Sequence, residues 1–251
     1  MIPILLALAA AAPAAGPQDT PQNRYRDCLA LTRTAPARAA GQAQAWLGSG
    51  GGLMAAQCLG LAFSAQEKWT EAAVAFEAAA KDAEAHQDRR RGELWVEAGN
   101  ARLAAGDAVA ARKAFEAALA TRLLIPQLEG EVHLDLGRAA VALNDPATAR
   151  ARIDQGLALV PKDPFGWYLS AALARRQNDL ALAREHIAKA VSLAPDDAAI
   201  LLEAGNIAGL SGEKDAALGL YARAARAAPD SDAAKAARAA IAANEAPAPR
   251  P

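Results

Sequence analysis

From Trp167 to Ala174, and again from Ala183 to Val191, apolar residues recur at three- and four-residue spacings with polar residues between them. That period lays an apolar stripe along one side of a helix, so each stretch predicts an amphipathic helix. Between them, Arg175-Arg176-Gln177-Asn178-Asp179 is short and polar, and the two helices are expected to turn back on each other. Asp163 before Pro164, and Asp196 after Pro195, mark expected helix starts. A carboxylate caps free N–H groups, and proline fits the first helical position because its missing donor is not needed there.

The hairpin recurs. Pro161, Pro195 and Pro229 stand 34 residues apart, each after a short apolar run. Twelve residues before each proline come Ala149, Ala183 and Ala217, and eight before come Ile153, Ile187 and Tyr221. Further upstream the same frame meets Gly137, Ala171 and Gly205, where a close helix contact is expected to exclude a larger side chain. Two earlier copies fit the frame, one through Gly60, Ala72, Phe76 and Ala79, the next through Trp95, Gly99, Ala111, Phe115 and Ala118. Their junctions carry five and four extra residues. An insertion near one helical turn, about 3.6 residues, lengthens a helix while keeping its apolar side nearly in place.

These columns resemble the tetratricopeptide repeat, a helix-turn-helix unit with small residues at fixed places, an aromatic in the second helix and a closing proline. The resemblance covers residues 53–229 as five copies; the first has Ala56 where Trp95 and Trp167 stand later, and the first two lack the proline. It implies an all-α fold, a right-handed superhelical solenoid of stacked hairpins, because one such hairpin cannot bury its apolar sides alone. The ends need covers. Residues 16–52, with helical stretches at Tyr25 to Thr32 and Ala37 to Leu47, are expected to form a divergent N-terminal helical cap, followed by the flexible run Gly48 to Gly52. Residues 230–243 are expected to form a C-terminal capping helix, and 244–251 a disordered tail.

Composition agrees with closely packed helices. Of 251 residues 73 are alanine, the strongest helix former, against 4 Phe, 4 Trp and 3 Tyr. Twenty-seven basic residues against 28 acidic ones leave a net charge of −1, without the basic footprint that nucleic acid or an anionic membrane requires. The one basic run, Arg89-Arg90-Arg91, is flanked by Asp88 and Glu93 and reads as a solvated loop or helix end.

Residues 1–15 read as a cleaved signal peptide: the first charged side chain is Asp19, Ile2 to Ala15 is almost wholly apolar, and Ala12-Pro13-Ala14 and Pro13-Ala14-Ala15 resemble cleavage sites. As a helix those fourteen residues reach roughly 21 Å, short of the roughly 30 Å apolar core of a bilayer, so the mature form is not expected to insert in a membrane. The expectation is export to a bacterial periplasm; the alternative is a cytoplasmic protein with an uncleaved leader. Cys28 and Cys58 lack a Cys-x-x-Cys pattern, and in an exported chain they are expected to form a structural disulfide pinning the cap to the first repeat, the alternative being two buried small side chains.

Local signatures of catalysis are scarce. His86, His133 and His186 lie in different repeats without a His-x-x-x-His or Glu-x-x-His pair, so no metal site and no cofactor is expected. His133 shares its column with Trp95 and Trp167 and is expected to pack. The serines lack a nucleophile elbow, and Gly48 to Gly52 lacks the Gly-Lys-Ser/Thr ending of a phosphate loop. The resemblance instead implies protein binding in a concave groove lined by the first helix of each repeat. The residues after the small column, Asn100, Arg138 and Asn206, are candidates, with Ala172 interrupting the series and Tyr168, Arg175 and Arg176 beside it. Asparagine both donates and accepts, and arginine clamps a carboxylate with two donors. The alternative is that these side chains are only a solvated helix surface. The expected function is a noncatalytic scaffold or adaptor in the envelope, binding a peptide or helix of a protein partner; the alternatives are an accessory subunit of an envelope enzyme complex and a cytosolic adaptor.

Overall fold

The computed structural model describes residues 20–245, and the expected leader, 1–15, and most of the expected tail, 246–251, lie outside them. Among the described residues every element is helical: α1 (Pro21–Thr34), α2 (Pro36–Gly48), α3 (Gly52–Ser64), α4 (Trp69–Ala85), α5 (Arg91–Ala104), α6 (Ala108–Ala120), α7 (Pro126–Ala142), α8 (Pro146–Leu159), α9 (Pro164–Arg176), α10 (Leu180–Leu193), α11 (Ala198–Leu210), α12 (Lys214–Ala227) and α13 (Asp232–Glu245). Each helix packs on the next in chain order; α3–α4, α5–α6, α7–α8, α9–α10 and α11–α12 form successive hairpins, and α4 packs on α5 of the next hairpin as extensively as on its own partner α3. The interior is a series of local apolar clusters, each shared by neighbouring helices, as a one-dimensional stack requires.

The small-residue column explains how each hairpin closes. A Cβ at Gly60, Gly99, Gly137 or Gly205 would stand 2.5 to 2.6 Å from the ring of Phe76, the ring of Phe115, Ile153 or the ring of Tyr221. These are the bulky residues of the facing column, so the missing side chain on one helix is the seat of the large one on its partner. Ala171 and Ile187 share one buried cluster in the fourth hairpin.

The turn inside each hairpin is built the same way. Glu67, Gly106, Asn144, Asn178 and Gly212 have φ between +57° and +81°. The residue after each of them is the N-cap of the second helix, and its N–H closes back on a carbonyl five residues earlier, as in Asp107 to Arg102 and Asp179 to Ala174. Asp107, Asp145 and Asp179 then cap α6, α8 and α10 by accepting from the N–H groups of Ala110, Thr148 and Leu182. At the start of α11 the cap is Asp197, which accepts from Ala199 and Ile200, and not Asp196 as the order of residues after Pro195 suggested. Asp163 caps α9, with Pro164 in its first turn.

At the amino end a disulfide joins Cys28 of α1 to Cys58 of α3, with Cα atoms 6.3 Å apart. The glycine run is a tight turn: Gly50 and Gly52 have positive φ, and the Gly51 N–H donates to the Trp46 carbonyl. Asp82 of α4 reaches back to cap α3, its carboxylate accepting from the Leu53 N–H at 2.7 Å. At the carboxyl end α13 packs on α12 and α11 and extends through Glu245, two residues past the expected limit.

Candidate functional site

The odd-numbered helices also approach one another: α5 packs on α7, α7 on α9 and α9 on α11, while no two even-numbered helices are comparably in contact among the described residues. One layer drawn together beside another spread apart is a bend, and the odd helices lie on its inner side. Their exposed stripe is therefore a groove floor.

Along that floor a column not singled out in the sequence stands two residues before each small residue: Glu97, Asp135 and Glu203, with Leu169 in the fourth hairpin. Glu203 is 5% exposed. It pairs with Arg175 of α9 at 2.6 Å and receives a bond from the Asn206 amide at 3.3 Å. Asn206 in turn accepts from the Tyr221 hydroxyl. Asp135 accepts from Arg138 at 2.8 Å, yet burial holds its carboxyl above the ordinary range. Glu97 accepts both bonds of the Gln57 amide from α3, and no lysine or arginine pairs with it among the described residues. Burial, reinforced by the negative charge of Glu93, pushes the Glu97 carboxyl up to about 7.

The sequence-predicted residues divide accordingly. Arg175 and Asn206 are committed to Glu203 and tie α9 to α11 and α12. Asn100, Arg138 and Arg176 are exposed and Tyr168 half-buried. Arg138 spans from its Asp135 bond to the ring of Phe165, 5.7 Å away, and that ring stacks on Tyr168 with centroids 5.8 Å apart. Burial, then the charge of Glu203, raises the Tyr168 phenol above its usual range. Phe165, 41% exposed, is not among the sequence candidates: it precedes Trp167, where the apolar stripe legible in the sequence begins. Arg138, Tyr168 and Arg176 meet around one cleft between α7 and α9 of about 200 Å³. Asn100 lies apart from it.

One polar cluster has the composition of a nucleophile and base. Ser170 Oγ lies 2.7 Å from His186 Nδ1 and accepts from Arg150, whose other amino group bonds the Ser170 carbonyl. Burial and the Arg150 charge lower the His186 imidazole, which suits it to accept from the serine. Ser170 is wholly buried, so no substrate reaches this hydroxyl; the cluster pins α8 to α9 and α10. In the column of Trp95 and Trp167, whose indoles donate to Glu84 and to the Pro161 carbonyl, His133 instead buries an Nδ1 without a partner. No group of three or more metal-ligating side chains occurs among the described residues, and no described helix is long and apolar enough to cross a membrane.

Comparison with known proteins bears on this architecture. The family model described as Tetratricopeptide repeat matches residues 134–198 and 168–232. The search of curated proteins found no significant match. Among solved structures, PilW, a widely conserved type IV pilus biogenesis factor, aligns with a TM-score of 0.70 at 18% identity, over 86% of this chain and 97% of PilW. PilF of Pseudomonas aeruginosa aligns with a TM-score of 0.67 at 17% identity, over 88% of this chain and 97% of PilF. YrrB, a TPR protein with an unusual peptide-binding site, aligns with a TM-score of 0.51 at 19% identity, over 78% of this chain and 96% of YrrB. At these identities the structures speak to the fold alone: residues 134–232 match the tetratricopeptide repeat, and the described helices stack in hairpins as they do in those structures.

Proposed function

We propose that this chain is a noncatalytic scaffold of the bacterial envelope that holds a protein partner in the groove of its odd-numbered helices. The observation that carries the reading is that Asn100, Arg138, Tyr168 and Arg176 present polar and aromatic groups on the inner side of the bend. Burying a core does not require them there. A concave wall of this kind gives an extended peptide or a helix more contact than a flat surface does. The likeness to PilW and PilF, and to YrrB with its peptide-binding site, supports the same reading, and the apolar leader at 1–15 supports export to the periplasm. Within this reading α1 and α2 cap the first of five repeats, residues 53–229, and α13 covers the last.

A photo-crosslinking residue placed at Asn100 or Arg138, and for comparison at the exposed Val109 of α6, tests the assignment in the native cell. The expected result is one protein captured from both groove positions and not from Val109, with capture lost when Asn100→Arg and Arg138→Glu are combined. Equal capture from Val109, or capture indifferent to the double substitution at unchanged helicity, rejects this side of the molecule. Peptide sequencing of the mature amino terminus tests cleavage after Ala15.

A further inference from the structure

The cleft between α7 and α9 has a floor and a rim of different chemistry. Val141 of α7 and Leu169 and Leu173 of α9 line it, with Ile153 of α8 beneath. Ala172 lines it where the second, third and fifth hairpins carry Asn100, Arg138 and Asn206, so a methyl group stands in place of a longer side chain. At its rim stand two guanidinium groups. Arg138 is already paired with Asp135, while Arg176, in the last turn of α9, has no carboxylate partner among the described residues. The hollow continues past Val141, Leu173 and Arg176 toward the turn at Asn144, for about another 200 Å³. The acid there, Asp145, is turned into α8 as its N-cap. The cleft is thus open along its length, so a chain can pass through instead of ending in it.

We propose that this cleft recognises an internal segment of a protein partner in which a branched aliphatic or aromatic side chain is followed by an aspartate or glutamate. The apolar side chain fills the space over Ala172, and the carboxylate takes the free donors of Arg176 with support from Arg138. An apolar anchor beside a fixed cation is a combination that neither a purely basic nor a purely polar segment satisfies, because each leaves the dry floor or the guanidinium without its complement. The proposal rests on the groove-binding reading above and narrows it to one chemistry and one place.

A display library of random short segments, internal to a carrier protein so that none offers a terminal carboxylate, is selected on the full-length oxidised chain. The selected segments are then measured as N-acetylated, C-amidated peptides. The expected result is enrichment of an aliphatic or aromatic residue next to Asp or Glu. Affinity should fall by roughly tenfold or more in Arg176→Glu and in Ala172→Phe, which fills the cleft, both with unchanged circular dichroism. Repeating the selection on Arg176→Glu should turn the acidic preference into a basic one. Enriched segments without an acid, or whose binding ignores both substitutions but is lost in Glu97→Lys or Asn100→Arg, overturn this proposal and leave groove binding standing. No segment whose binding depends on any of the four positions overturns both. Self-association abolished by Ala172→Phe would put a second copy of the chain in the cleft and overturn the proposal as well.

Discussion

At the scale of single residues, one missing Cβ sets the distance between the two helices of a hairpin. Gly99 has the Phe115 ring where its side chain would be, so Gly99→Ala forces the ring out of its seat despite alanine's better helix propensity. The expected cost is about 1–3 kcal/mol by urea denaturation, as for overpacking in a filled core, and Phe115→Leu in the same chain should recover much of it. A charge tells a similar story. Glu97 has its carboxyl raised from the usual 4.5 to about 7, so the folded chain holds a proton that the unfolded chain releases. Its contribution is most favourable below pH 4.5 and is lost as the pH rises through about 7. Glu97→Gln should therefore flatten the decline of stability across that window and leave the variant more stable at pH 8, by up to roughly 3 kcal/mol at about 1.4 kcal/mol per pH unit. A wild-type profile that rises over this window would mean that a cation reaches Glu97.

At the scale of elements, a left-handed residue defines each hairpin turn, and a capping aspartate joins it in the turns into α6, α8 and α10. Glu67 occupies that position without the freedom of Gly106 or Gly212, so Glu67→Gly should raise the thermal midpoint, with a gain of about 1 kcal/mol from relieving a left-handed β-carbon. Asp179→Ala removes the acceptor for the Leu182 N–H and should cost about 1 kcal/mol in the same measurement. How much could be read beforehand follows from the range of each interaction. The 34-residue columns, the hairpins and the facing of Gly137, Gly205 and their bulky partners are local regularities repeated several times, and repetition made them legible. Asp197 displaced Asp196 as the cap because one residue of register is decided by the exact exit of the chain from Pro195, which the order of residues leaves open. The pairing of Arg175 with Glu203, and of Asn206 with Tyr221, joins residues of different helices and was hidden for that reason, although the column Glu97, Asp135 and Glu203 was there to be seen. The cleft over Ala172 was half legible: the break in the polar series is in the sequence, while its depth depends on Val141 and Ile153 from the preceding hairpin.

For the whole molecule, what matters is how far a disturbance travels. Every cluster is shared only by neighbouring helices, so stability is close to a sum of hairpin and junction contributions, and a local loss need not be global. The disulfide gives a direct test, because it closes a 30-residue span at one end of the array, from α1 to α3. Constraining a loop of that size in the unfolded chain is worth about 3 to 4 kcal/mol in the chain-entropy account. The bridge sits in the apolar cluster at this end of the array, where Ala39 and Ala43 of α2, Leu59 and Ala62 of α3 and Ala75 of α4 pack with it. Reduction by a mild thiol should raise amide exchange in α1 and α2 by orders of magnitude while protection in α9 to α12 stays within about a factor of two. Binding at the α7–α9 cleft should be equally indifferent, since no side chain of the cap reaches it. If exchange instead rises together along the whole chain, the hairpins unfold as one cooperative unit and the cap controls the groove from a distance. Exchange confined to the cap would place the disulfide's contribution in the end of the array, and leave the groove to the packing of its own four hairpins, α5 to α12.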